Sequence, residues 1–98
     1  MKKVAIILAD GFEEIEAITV IDILRRAEIK AVSVGLNKKI VNGTHGIEVK
    51  ADMILDDLNV SEFDMIVLPG GLPGAEHLAK SEKLAEILKK IGRAHVWT

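Results

Sequence analysis

The apolar run Met65-Ile66-Val67-Leu68 breaks abruptly at Pro69-Gly70-Gly71, and this break constrains the fold more than any other stretch of the chain. Consecutive apolar residues over one short segment read as a strand buried on both faces. The glycine pair lets the backbone turn sharply at the strand end and approach a ligand closely. Leu72-Pro73-Gly74 then leads into a helical pattern spanning Glu76 to Lys90. The N-terminus of a helix presents free N–H groups that favour negative charge. In an open α/β sheet, ligands bind outside this end of the strands. The same turn also connects strands to helices where no ligand binds, so the turn alone supports both readings equally.

The chain opens with a second run of this kind, Val4 to Ala9, again read as a doubly buried strand. Asp10 followed three residues later by Glu13 has the form of a capping box, which predicts a helix from about Glu13 to Glu28 with Asp10 as N-cap. At 100° per residue, Glu14, Asp22, Arg25 and Arg26 fall on one face, predicted to be solvated. Ala17, Val20, Ile23, Leu24 and Ala27 fall on the other. Glu13 and Glu16 lie on this apolar face; capping accounts for Glu13 but not for Glu16. A carboxylate on a buried face must be paired, hydrogen-bonded or protonated, and burial that favours protonation is the usual preparation for acid–base work. The plainer alternative is that Glu16 reaches solvent at the helix end or pairs with a cation.

Ile29 to Gly35 reads as a further strand. Asn42-Gly43-Thr44-His45-Gly46 lies between Ile40-Val41 and Ile47 to Lys50 and predicts a hairpin or loop. Asp52 to Val60 reads as a connector with one helical turn. Ser81 is a suitable N-cap for the last helix, whose stripe is Leu84, Ala85 and Leu88. Strands alternating with helices predict a parallel sheet covered on both faces.

The other classes are excluded by composition. The 98 residues suffice for one small domain, and the formal net charge is −2. Basic residues are scattered without interleaved aromatics, which argues against nucleic acid. No apolar run approaches the ~20 residues of a membrane span. The apolar N-terminal run meets Asp10 at once and has no cleavage site, so it is not a signal peptide, and a cytoplasmic location is expected. There is no cysteine, and neither a metal constellation nor a cofactor motif is visible; Gly-x-Gly-x-x-Gly does not follow the first strand.

Residues 91–98, Ile-Gly-Arg-Ala-His-Val-Trp-Thr, have neither a helical stripe nor a strand pattern. They resemble the translation of a short-read sequencing adapter, with a TGA codon read as Trp97. Residues 1–90 are therefore expected to be the native part, and 91–98, including His95, a non-native tail.

Leu8-Ala9-Asp10-Gly11-Phe12-Glu13-Glu14-Ile15-Glu16-Ala17 and Val67-Leu68-Pro69-Gly70-Gly71 together resemble the ThiJ/PfpI family. Asp22, Leu24 to Ala27 and Gly74-Ala75 resemble its Parkinsonism-associated deglycase (DJ-one) branch, and the likeness covers essentially all of residues 1–90. The resemblance implies an α/β fold, a flavodoxin-like parallel sheet sandwiched by helices and related to class I glutamine amidotransferases, here only its N-terminal portion. It implies a homodimer and a cysteine nucleophile on a strand-to-helix elbow, which would fall where this chain ends. Glu16 takes the place of the acid beside that thiol, where a protonated carboxyl stabilises the thiolate. Gly70 and Gly71 take the place of the oxyanion loop, with the Gly71 N–H as donor. His45 lies in a loop where relatives carry Arg or His near the partner subunit's site, so it is a candidate substrate-binding residue or a plain surface turn. His77 is expected at the surface.

The activity so implied is that of the intact parent: cysteine-dependent conversion of small reactive carbonyls or of glycated proteins, as in glyoxalase III and protein deglycases. The alternatives are a redox-sensing or holdase chaperone dimer without turnover, and a PfpI-type cysteine peptidase. The fragment, lacking the nucleophile, is expected to be inactive and prone to aggregate along its uncovered sheet edge.

Overall fold

The computed structural model describes residues 2–91 and 94–96, with side chains through residue 90. The first strand, β1 (Lys3–Leu8), is followed by helix α1 (Glu14–Arg26) and strand β2 (Lys30–Gly35). A short antiparallel hairpin follows, β3 (Ile40–Asn42) and β4 (Glu48–Lys50), then a two-residue strand β5 (Met53–Ile54). Two 3₁₀ turns, Leu55–Asp57 and Val60–Glu62, lead into β6 (Met65–Leu68). Helices α2 (Gly74–Lys80) and α3 (Glu82–Ile91) and a last strand β7 (Ala94–Val96) complete the order.

Strands pair in the order β5-β2-β1-β6-β7, and every pairing is parallel. The central strand β1 carries Ala5, Ile6, Ile7 and Leu8, all at zero exposure. Alternate residues serve opposite faces, as the pleat requires. Ala5 and Ile7 pack with Val34, Ile66, Leu78, Leu84 and Ile87, under α2 and α3. Val4, Ile6 and Leu8 pack with Phe12, Ala17, Ile21 and Val67, under α1. Each fully buried Ile or Leu contributes about 1.5–3 kcal/mol relative to exposure. The predicted sandwich of a parallel sheet between helices is the architecture observed.

Ser81 separates the last two helices. Its hydroxyl accepts the Leu84 N–H at 3.1 Å, the N-cap bond that the sequence predicts for α3.

The start of α1 differs from the sequence expectation. Its N-cap is Glu13, whose Oε1 accepts the Glu16 N–H at 3.0 Å. Asp10 instead turns to the hairpin: Oδ1 accepts the Asn42 N–H at 3.0 Å and Oδ2 pairs with Lys38 at 2.9 Å. These two bonds hold the Asp10 carboxyl below its ordinary range. The helix faces are also displaced from the wheel reading. Glu14 is buried beside Ala17 and Ile21, whereas Ile23 is 57% exposed and Ala27 is exposed. The β3–β4 hairpin lies over the first turn of α1 and covers Glu14, a contact that the periodicity of α1 does not encode.

The absence of any strand pattern in the tail is corrected as well. Ala94–Val96 pairs with Ile66–Leu68 of β6. The physical reason is the free edge of β6: unpaired N–H and C=O groups there accept almost any extended segment. Residues 92–93 and 97–98 of that tail lie outside the described residues.

Candidate functional site

Three loops meet at the C-terminal edge of the sheet: the β1–α1 turn, the hairpin loop and the β6–α2 turn. The Glu13 N–H donates to the Gly70 carbonyl at 2.9 Å, and the Gly74 N–H to the Gly11 carbonyl at 3.2 Å. The Gly11 N–H reaches the Asn42 carbonyl at 2.7 Å, and the Thr44 N–H reaches Phe12 at 2.8 Å. Thr44 also donates its hydroxyl to the Leu72 carbonyl at 3.0 Å, closing the triangle.

The fit leaves no room for side chains at the crossing. Gly71 has φ +101°, and a Cβ there would stand 2.6 Å from the Glu13 nitrogen and 2.9 Å from the Gly11 oxygen. Gly11 has φ +91° and would drive a Cβ to 2.4 Å from Pro73. Both positions therefore need glycine for conformation and for space. The glycines of the Pro-Gly-Gly turn and of the Asp-Gly-Phe turn make one interlocked unit, which neither motif reveals separately.

Glu16 projects from the first turn of α1 into this unit. Its Oε1 accepts the Gly70 N–H at 3.1 Å, and its side chain is half-buried. It lines a concavity of about 200 Å³ with Ile15, Thr19, Val20, Val67 and Pro69. The candidate acid and the glycine loop, 54 residues apart in sequence, are thus in direct contact. Gly70 spends its N–H on Glu16. Among the described residues the Gly71 N–H has no hydrogen-bond partner. Chemically, the arrangement offers a carboxyl in a largely apolar hollow with one oxygen anchored and the other available to a reacting group.

His45 lies elsewhere in the cluster. It is exposed on the hairpin loop, and its Nδ1 stands 2.9 Å from Glu14 Oε1 and 3.8 Å from Glu13 Oε2. Glu14 Oε2 accepts the backbone N–H groups of His45 at 2.7 Å and Ile47 at 3.3 Å. Burial by itself would push the Glu14 carboxyl up; the His45 ring and these N–H groups outweigh it and hold it at about 2. The hydrogen bond to Glu14 raises the His45 imidazole in turn. Sequence reasoning placed Glu14 on the solvated face of α1, and no local signal marks it as buried. His77 is exposed, as expected.

A parallel sheet between helices, with loops gathered at its C-terminal edge around a carboxyl from the first helix, defines a flavodoxin-like α/β protein. Within that class, the chain belongs to the DJ-1/PfpI family, whose family model matches residues 2–97. It is 45% identical over 84 residues to protein DJ-1 homolog B of Arabidopsis thaliana, covering 85% of this chain and 19% of the relative. It is 34% identical over 89 residues to deglycase PfpI of Pyrococcus furiosus, covering 91% and 53%. The solved structure of oxidized Toxoplasma gondii DJ-1 superposes with a TM-score of 0.91 at 36% identity, over 98% of this chain and 55% of that one. The chain spans about half the length, or less, of the relatives it matches. No helix among the described residues is long and apolar enough to cross a membrane.

Proposed function

We propose that this chain is the N-terminal portion of a cysteine-dependent enzyme acting on small reactive carbonyls or on their adducts with proteins. The observation that carries this reading is the hydrogen bond from the Gly70 N–H to Glu16 Oε1. It fixes the acid at the glycine turn and leaves its second oxygen for proton transfer. In the proposed reaction a thiolate from the remaining part of the domain attacks the carbonyl carbon. The Gly71 N–H stabilises the developing oxyanion, and Glu16 delivers and recovers the proton. The chain has no cysteine, so the fragment alone is proposed to be inactive. A relative named as a deglycase supports the substrate class.

The same reading includes a cytoplasmic homodimer. The exposure of Ile15 (74%) and Ile18 (41%) on α1 supports a partnered surface. It also keeps residues 91–98 as a non-native tail, which sequencing of the source DNA past Lys90 tests directly. Turnover of methylglyoxal to lactate by the full-length protein, lost in Glu16→Gln, tests the enzyme. Full-length protein that is folded and dimeric but turns over no methylglyoxal and no glycated substrate would favour the redox-sensing or chaperone reading.

A further inference from the structure

We propose that Thr44 is a positioning residue for the Gly71 amide, a role that rests on the reading above of the Gly71 N–H as oxyanion donor. The Thr44 hydroxyl reaches across from the hairpin loop and fixes the direction in which that N–H points.

A glycine at φ +101° has wide conformational freedom. An oxyanion donor works only when it is held at the spot where charge develops. The residues on either side of Gly71 reconcile the two. On the leading side, the Gly70 N–H donates to Glu16 Oε1 at 3.1 Å, and the Gly70 carbonyl accepts the Glu13 N–H at 2.9 Å. On the trailing side, the Gly71 carbonyl accepts the Ala75 N–H at 2.8 Å, and the Leu72 carbonyl accepts the Thr44 hydroxyl at 3.0 Å. Among the described residues, Glu16 and Thr44 are the two side chains that hydrogen-bond to this turn, one on each flank of Gly71. With the carbonyls before and after it pinned, both torsions of Gly71 are set.

Thr44 can hold the turn because its own backbone is held. Its N–H donates to the Phe12 carbonyl at 2.8 Å. Its neighbours are tied as well: the Gly43 N–H reaches the Ile47 carbonyl at 2.8 Å, and the His45 N–H reaches Glu14 Oε2 at 2.7 Å. The loop lies so close to α1 that a Cβ on Gly43 would stand 2.3 Å from the Glu14 carboxyl. The branched Cβ of threonine restricts χ1, so the hydroxyl loses little rotamer freedom in making its bond. Such support holds a group to within about 0.5 Å, and a misplacement of about 1 Å can cost roughly 100-fold in rate. The hydroxyl bonds to the turn and not to Glu16, so Thr44 acts through the glycine loop and leaves the acid untouched.

The experiment compares the full-length protein with Thr44→Val, which keeps the branched shape and removes the donor, and with Thr44→Ser, which restores the donor. Backbone amide NMR relaxation reads the turn without any turnover. The Gly71 and Leu72 order parameters are expected near the rigid value of about 0.85 in the wild type and in Thr44→Ser. In Thr44→Val they are expected to fall below about 0.6, with Glu16 unchanged. Kinetics with methylglyoxal are expected to show kcat at least about tenfold lower in Thr44→Val, with KM and the pH profile little moved, and recovery in Thr44→Ser. Loosened amides in Thr44→Val, with no carbonyl turned over by any of the three proteins, would refute the enzymatic reading and still support the positioning of Gly71. Order parameters in Thr44→Val equal to those of the wild type would overturn the positioning role. So would a Thr44→Ser protein that behaves like Thr44→Val, since the hydroxyl would then not be the group that matters.

Discussion

The Glu16 carboxylate accepts the Gly70 amide hydrogen at 3.1 Å, tying the first turn of α1 to the turn after β6. The bond uses one oxygen of the acid as an acceptor only. Replacing Glu16 by Gln keeps an acceptor oxygen in the same place and removes the titratable proton. In the full-length protein, Glu16→Gln should shift unfolding free energy by less than about 1 kcal/mol while lowering kcat at least about 100-fold. Denaturant titration beside steady-state kinetics separates the two effects. Equal loss of stability and activity would make the residue structural.

Gly71 tests the interlocked loops. An alanine there meets both an unfavourable left-handed backbone and the Glu13 nitrogen 2.6 Å from its Cβ. The strained backbone alone costs about 1–3 kcal/mol, and the clash adds to it. Gly71→Ala is expected to lower the urea midpoint accordingly, whereas Leu72→Ala, at an exposed neighbour, should not.

The Glu14–His45 pair sets a pH window. The Glu14 carboxyl falls from 4.5 to about 2 in the folded chain. Its contribution to stability is therefore present above about 4.5 and disappears as pH falls toward 2. His45 is raised from 6.5. Its contribution is complete below 6.5 and is lost as pH rises through the higher folded value. The pair should therefore support the fold best between about pH 4.5 and 6.5. Melting temperature measured against pH is expected to decline on the alkaline side in the wild type, and this decline should be smaller in His45→Gln.

Asp52 closes the part of the β2 edge that the short β5 leaves unpaired. Its Oδ2 accepts the Ser33 N–H at 2.9 Å and an Arg25 guanidinium N–H at 3.0 Å. Arg25 also donates to the Ala31 carbonyl at 2.9 Å. Asp52→Ala strands the Ser33 amide and should cost about 1–3 kcal/mol. Asp52→Asn retains an acceptor and should cost less; equal costs for the two would assign the effect to the ion pair.

The sequence by itself determined the frame. Val4 to Ala9 and Met65 to Leu68 are unbroken apolar runs, and in a short chain such runs are stable only inside a sheet covered on both faces. Ser81 as a cap and the hairpin around Asn42-Gly43 were legible for the same reason: their chemistry acts within a few residues. Glu16 was legible because nothing local excused a carboxylate at its position. Glu14 was not, since the wheel of α1 reports that helix's own polarity and is blind to a loop some thirty residues later. Asp10 looked like a cap within its own segment, yet the hairpin offered it the Asn42 amide and Lys38, and Glu13 took the cap instead. The two residues of β5 and the three of β7 are too few to show a period, and only the open edges of β2 and β6 select them. The tertiary structure thus decided each residue whose hydrogen-bond partner lies in another element, because that bond depends on which loops pack together rather than on the pattern within one.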